Sequence, residues 1–163
     1  MKKVIYLDRV SWTKIWFYGS ILITVIVCFI LLHKKRIKEL LPVGLFIATV
    51  NYTVEALGLH FKLWHYPLSN PGYVHIVILS SLVYFPMISM LFAQYLTHRL
   101  KRNILLLLLF LGLNIINEVI TLKTTDLFIY GEKMNLFITS LLYLAAYLSI
   151  VVFLCIYNKL SEA

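Results

Sequence analysis

The sequence predicts an all-α fold, a polytopic bundle of five transmembrane helices, on three observations. Of its 163 residues, 61% are hydrophobic and only 13% are charged, against roughly 25% charged in a soluble domain. Mean hydropathy is +0.89. The apolar residues fall into long runs separated by short polar connections, which is the pattern of a chain crossing a bilayer rather than of a core surrounded by water.

The runs are 15–32, 41–59, 74–97, 104–122 and 136–157. At 1.5 Å rise per residue each covers roughly 27–36 Å as a helix, enough for the hydrocarbon layer. The first run has no small-residue cleavage site after it, so the expectation is a retained span and not a signal peptide. A surface-lying N-terminal helix followed by four spans is the alternative. The second run carries Asn51, Thr53 and Glu55. The third carries Ser80, Ser81, Tyr84 and Ser89 around Pro86. That proline is expected to kink the helix and free a carbonyl for a neighbouring hydroxyl. The fourth opens with a Leu- and Ile-rich half that suits lipid contact, then carries Asn114, Asn117 and Glu118. The fifth repeats Thr139, Tyr143 and Tyr147 at four-residue intervals on one face. Its Ala145 and Ser149 form a small-xxx-small pair that lets helices approach closely. Short connections make neighbours antiparallel within one domain, residues 1–163.

The formal net charge is +8, with 15 Lys and Arg. The basic residues gather between apolar runs, and no separate soluble domain exists to hold nucleic acid. Lys34, Lys35, Arg36 and Lys38 lie in the 33–40 loop, and Arg99, Lys101 and Arg102 in the 98–103 loop. Cytoplasmic loops collect Lys and Arg, so these loops and the C-terminus are expected inside and the N-terminus outside. Lys2, Lys3, Arg9 and Lys14 pull against this assignment, so the later loops decide it. Cys28 and Cys155 both lie inside apolar runs and read as small buried residues, not as a disulfide or a metal pair.

One polar motif occurs twice. Asn51-Tyr52-Thr53-Val54-Glu55 is followed by Trp64-His65-Tyr66, and Asn114-Ile115-Ile116-Asn117-Glu118 by Phe128-Ile129-Tyr130. A carboxyl inside a membrane segment is costly and marks a candidate functional site. Each acid lies fourteen residues from the start of its run, and the two runs point the same way, so both carboxyls are expected at one depth. Asn51 shares a face with Glu55, and Asn114 and Asn117 share one with Glu118. Such faces turn inward, because lipid satisfies neither amide nor carboxyl. The candidate ligand-binding set is Glu55, Glu118, Asn51, Asn114, Asn117, Tyr143, Tyr147, Trp64 and Tyr66, around a pocket opening outward. Lys62, Lys123, His60 and His65 are candidate partners for the acids. The other reading of the acids is interhelical glue.

The 60–73 loop holds two prolines and a glycine and is turn-rich. Trp64, Tyr66 and Tyr73 match an interfacial aromatic belt; a lid over Glu55 is the alternative. His60, His65 and His75 do not share a helix face with Glu55, so no metal is expected. No motif points to catalytic residues or a cofactor.

The order of an interior Glu55, Trp64 to Pro67, Pro86 in the next span, Gln94-Tyr95, a basic loop, Glu118 and Tyr130-Gly131 resembles a family of small five-span membrane proteins of endospore-forming Bacillota. The resemblance implies a bacterial cytoplasmic or spore membrane and carries no established activity. A fainter likeness is to membrane lycopene cyclase domains, which also have an acid, then Trp-x-aromatic, then a proline. Those domains follow the proline with acidic residues that carry the chemistry, where this chain has Met87-Ile88-Ser89. The likeness therefore implies a shared bundle and no cyclase activity.

Three functions follow as expectations. The first is a non-enzymatic subunit binding a small polar ligand, a lipid or a partner through the Glu55/Glu118 pocket. The second is a membrane enzyme acting on an isoprenoid or lipid with one carboxyl as general acid. The third is a structural assembly subunit. Expected partners are membrane lipids and either further copies of the chain or a larger membrane complex.

Overall fold

Each apolar run forms one long helix, because a helix satisfies its backbone N–H and C=O groups within its own segment. The computed structural model describes residues 2–67 and 72–161; for residues 2–10, 72, 73, 158, 160 and 161 it describes the backbone alone. Helix α1 is Lys2–Leu31. A 3₁₀ turn, Lys34–Arg36, leads into α2, Ile37–His60. Helix α3 covers 72–95 as an α-helix Gly72–Leu79, a π-helical turn Ser80–Tyr84 and an α-helix Phe85–Tyr95. Helix α4 is Leu100–Thr124 and α5 is Leu136–Ser161. All five are long and apolar enough to cross a membrane. The fold is the expected all-α, five-helix bundle.

Several boundaries move by a few residues, the start of α4 from 104 to Leu100 among them. The first run is part of an unbroken helix from Lys2, with its apolar stretch at Ser11–Leu31. By length and composition that stretch is long enough to cross a membrane, which favours five spans over four. The 33–40 loop is shorter than expected, since α2 starts at Ile37 and takes Lys38 and Glu39 into its first turn. The third span stops at Tyr95, where Leu96 turns to extended backbone (φ −61°, ψ 140°).

At Pro86 the expected kink takes another form. Proline has no N–H and crowds the carbonyl four residues back. A π turn lies immediately before it, with the Phe85 N–H reaching back five residues to Ser80 O. Widening of this kind is a recognised way to relieve an α-helical ladder. The nearby Ser80 hydroxyl donates to Val77 O at 3.1 Å.

Helix α3 is the centre of the bundle. Half of its apolar stretch is buried (50%), against 11–22% for the other four. It touches α1, α2, α4 and α5, and its broadest contact is with α2. Gly44 on α2 lets the two close up, since a Cβ there would lie 2.9 Å from Met90 Sδ. Lipid tails are as apolar as Leu, so close packing of this kind, not exclusion of water, holds such helices together. The main core gathers Val43, Ile47, Phe92, Phe110, Tyr147 and Ile150. A smaller cluster of Phe17, Ile21, Ile76 and Leu127 lies apart from it. Ile104, Leu105, Leu108, Leu109 and Leu113 are exposed on the bundle surface, as expected for a lipid-facing half of α4.

A feature absent from the sequence reading closes one end. Two-residue strands β1, Trp64–His65, and β2, Ile129–Tyr130, pair antiparallel, with Trp64 opposite Tyr130 and His65 opposite Ile129. The ladder joins the loops that follow α2 and α4, so those helices end on the same side. At the other end, Gln94 binds the α1–α2 connection. Its amide accepts from the His33 N–H at 2.7 Å and donates to Leu31 O at 3.0 Å. The Arg36 guanidinium donates to the Gln94 carbonyl at 3.0 Å.

Candidate ligand cavity

The site begins with the two acids, five residues from the end of α2 and six from the end of α4. They reach the same level on parallel helices. Each carboxyl is met by an aromatic residue from the loop that follows its own helix. Glu55 Oε2 accepts from the Trp64 indole at 3.0 Å and from the Tyr66 hydroxyl at 2.9 Å. Glu118 Oε1 accepts from the Tyr130 hydroxyl, which in turn accepts from Thr139 at 2.8 Å. Because Trp64 and Tyr130 face each other in the ladder, one two-stranded clasp caps both acids.

The backbone builds this clasp by two close approaches. Helix α2 ends in a Schellman arrangement, with the Lys62 N–H bonded to Leu59 O and the Leu63 N–H to Gly58 O. Lys62 takes the left-handed position that glycine usually fills (φ 54°). This folds the chain back so that the Trp64 ring lies on Gly58, where a Cβ would sit 2.0 Å from the indole. On the second strand, the Gly131 N–H extends the ladder to Leu63 O at 2.7 Å. A Cβ at Gly131 would lie 2.1 Å from the Lys62 carbonyl oxygen.

Beneath the clasp is a partly enclosed cavity of about 420 Å³, within the roughly 300–1,000 Å³ range of small-molecule sites. All nine residues of the expected set line it: Asn51 and Glu55 from α2, Trp64 and Tyr66 from β1 and the residue after it, Asn114, Asn117 and Glu118 from α4, and Tyr143 and Tyr147 from α5. The Asn51 amide donates to Ser81 at 2.8 Å. The Asn114 amide donates to Phe110 O at 3.1 Å and to the Tyr147 hydroxyl. The Tyr84 hydroxyl donates to Asn114 Oδ1 at 3.4 Å and accepts from Asn117 at 3.3 Å. The Tyr143 hydroxyl interacts with the Glu118 carboxyl both electrostatically and as a hydrogen-bond donor, whereas Tyr147 serves Asn114 and not an acid.

One atom stands outside this network. Glu118 is only 4% exposed, and its Oε2 is buried with no hydrogen-bond partner among the described residues. A buried orphan acceptor of this kind is rare and costly. Both donors to Glu55 use Oε2, and no described hydrogen bond uses its Oε1.

Two expectations are corrected here. Trp64 is not an interfacial belt residue: it is 9% exposed and bonded to Glu55. It and Tyr66 form the lid, and the side chain of Tyr73 lies outside the described residues. Lys62, Lys123, His60 and His65 do not partner the acids. All four are exposed, and among the described residues no basic side chain pairs with Glu55 or Glu118. Neutral donors alone meet the two carboxyls. Burial and the Glu55 carboxyl beside it push the Tyr66 hydroxyl up from its ordinary value. Burial and the Glu118 hydrogen bond do the same for Tyr130. Both phenols therefore stay protonated in neutral water and act as donors.

The sequence reading missed part of the wall. Tyr130 caps Glu118 as Trp64 caps Glu55, and its place in the repeated motif was the available signal. Helix α1 contributes Trp16, Phe17, Ser20 and Ile21. The Trp16 indole donates to the Thr121 hydroxyl at 3.0 Å, and the Asp126 N–H donates to the Thr13 hydroxyl at 3.1 Å. Thr13, Trp16, Ser20 and Thr24 recur every three or four residues, a polar stripe that carries no acid to draw the eye. Comparison with protein-family models, with curated proteins and with solved structures finds no match to this chain.

Proposed function

We propose that this chain is a multi-pass membrane protein that binds a small ligand in the cavity between Glu55 and Glu118. The observation that carries the reading is the buried, unpartnered Oε2 of Glu118 facing that cavity. Interhelical glue accounts for Glu55 Oε2, which two donors satisfy. The Tyr143 hydroxyl lies beside the Glu118 carboxyl but closes no hydrogen bond onto its buried Oε2; glue does not account for that open acceptor, whereas a bound donor group does. The ladder explains how a ligand is held, since one clasp covers both acids.

The membrane is a bacterial cytoplasmic or spore membrane, with the clasp end outside and the C-terminus inside. The Lys and Arg residues clustered in the connections at the end opposite the clasp support this orientation. The resemblance to five-span Bacillota proteins supports the source and gives no activity.

The test is native mass spectrometry after gentle extraction. Wild type is expected to carry a bound small molecule, and the double variant Glu55→Gln/Glu118→Gln to lose it while keeping its thermal unfolding profile. Equal retention by two equally folded proteins would overturn the reading. Loss of the fold in both single Gln variants, with no adduct on wild type, would favour the structural role instead.

A further inference from the structure

We infer that the ligand is an amphipathic organic cation, with a primary or secondary ammonium head between Glu55 and Glu118 and an apolar body in the rest of the cavity. This rests on the binding reading above and adds the ligand's chemical class. Two carboxyls share one cavity and no described basic side chain compensates them. In their ionised form the two carboxylates are complementary to a positive group placed between them and repel a phosphate or carboxylate. The hydrogen bonds from Trp64, Tyr66 and Tyr130 use one oxygen of each acid, Oε2 of Glu55 and Oε1 of Glu118. That leaves an acceptor on each side, one of them fully buried. An ammonium with two or three N–H groups supplies donors to both at once. A quaternary ammonium has the charge but no N–H for Glu118 Oε2.

The walls agree with this head group. Tyr66, Tyr84, Phe128, Tyr130 and Tyr143 line the cavity around the acids, and ring faces attract cations. The rings of Tyr66, Phe128 and Tyr130 lie in sequence beneath the clasp, 6.4 Å and 5.8 Å between successive centroids. Further from the clasp the lining turns to Ile47, Val50, Leu142, Ala146 and Ile150, which suits an alkyl or other apolar body and not a sugar. A hard metal cation takes six to eight oxygen ligands. Among the described residues no group of three His, Cys, Asp or Glu is placed to hold a metal.

The experiment uses the full chain in a nonionic detergent at neutral pH, with decylamine, decyltrimethylammonium, decanol and decanoate as probes and native mass spectrometry as readout. Decylamine is expected to be retained at least about tenfold better than decanol, a gap that one charge-assisted hydrogen bond accounts for. Decyltrimethylammonium is expected to fall below decylamine, and decanoate to be excluded. Glu118→Gln and the cavity-filling Ser20→Phe are both expected to abolish the preference for decylamine. Ser20 lies on α1, and its hydroxyl bonds only within its own helix, to Phe17 O, so the substitution leaves both acids in place. Equal retention of decylamine and decanol would leave the cavity as a binding site and overturn its cation selectivity. Retention of decylamine by Ser20→Phe as strong as by wild type would also overturn the inference, because the amine would then sit elsewhere. Retention of neither probe overturns this inference and counts against the binding reading too. If Glu118→Gln fails to fold, the wild-type comparison and Ser20→Phe decide the question.

Discussion

At Gly58 the absence of one methyl group positions the lid. A Cβ there would overlap the Trp64 indole, and the indole is what bonds Glu55. Gly58→Ala is therefore expected to push the ring off the carboxyl and destabilise the protein by about 1–3 kcal/mol, the usual cost of overpacking. A thermal melt beside wild type checks it, and an unchanged melting temperature would show that the ring is not seated on the glycine. Lys62 shows the opposite compromise, a bulky residue in a left-handed cap position. Neither role is visible in the sequence, because a glycine inside an apolar run reads as tolerated packing until its neighbour is known. The acids were legible for the opposite reason. A carboxyl among apolar residues stands out at any position, and its cost in lipid demands an explanation.

Among the elements, the two ends of the bundle are closed by different means. At one end two strands of two residues each tie the α2 and α4 loops together. At the other, Gln94 alone satisfies two backbone groups of the α1–α2 connection. Gln94→Leu leaves the His33 N–H and the Leu31 carbonyl without these partners and is expected to cost about 1–3 kcal/mol. Thermal unfolding measures that loss. Because Gln94 is remote from the clasp, retention of decylamine by the folded variant is expected to match wild type; a parallel loss would mean that the two ends are coupled. The helices themselves were readable from hydrophobic run length. The ladder was not, since two-residue strands leave no periodicity and their pairing joins residues 64 and 66 positions apart. The π turn in α3 was legible only as a disturbance at Pro86, because proline specifies a missing donor and not the way a helix absorbs it.

For the whole molecule, two parallel helices carry matched acids to one level while a central α3 spaces them. The orientation of that arrangement in the membrane is testable. In a chain freed of Cys28 and Cys155, a single cysteine replacing Lys133, close to the clasp, is expected to react with an impermeant maleimide in intact cells. One replacing Lys101, at the opposite end, is expected to react only after permeabilisation. The reverse pattern would invert the proposed topology. The sequence by itself determined the number of helices, their order and the matching level of the two acids along their helices, because run length and residue count set these. It also singled out nine of the residues that line the cavity, since a carboxyl or amide among apolar neighbours is best satisfied in the bundle interior. Only the tertiary structure decided how those groups are used. It turned Trp64 from a belt residue into a lid, replaced the expected basic partners by phenols and an indole, brought in α1 as a wall and left Glu118 Oε2 unpartnered. These outcomes depend on loops that meet across the bundle and on which donor arrives within 3 Å of which oxygen, and a linear pattern of polar and apolar residues does not encode such distances.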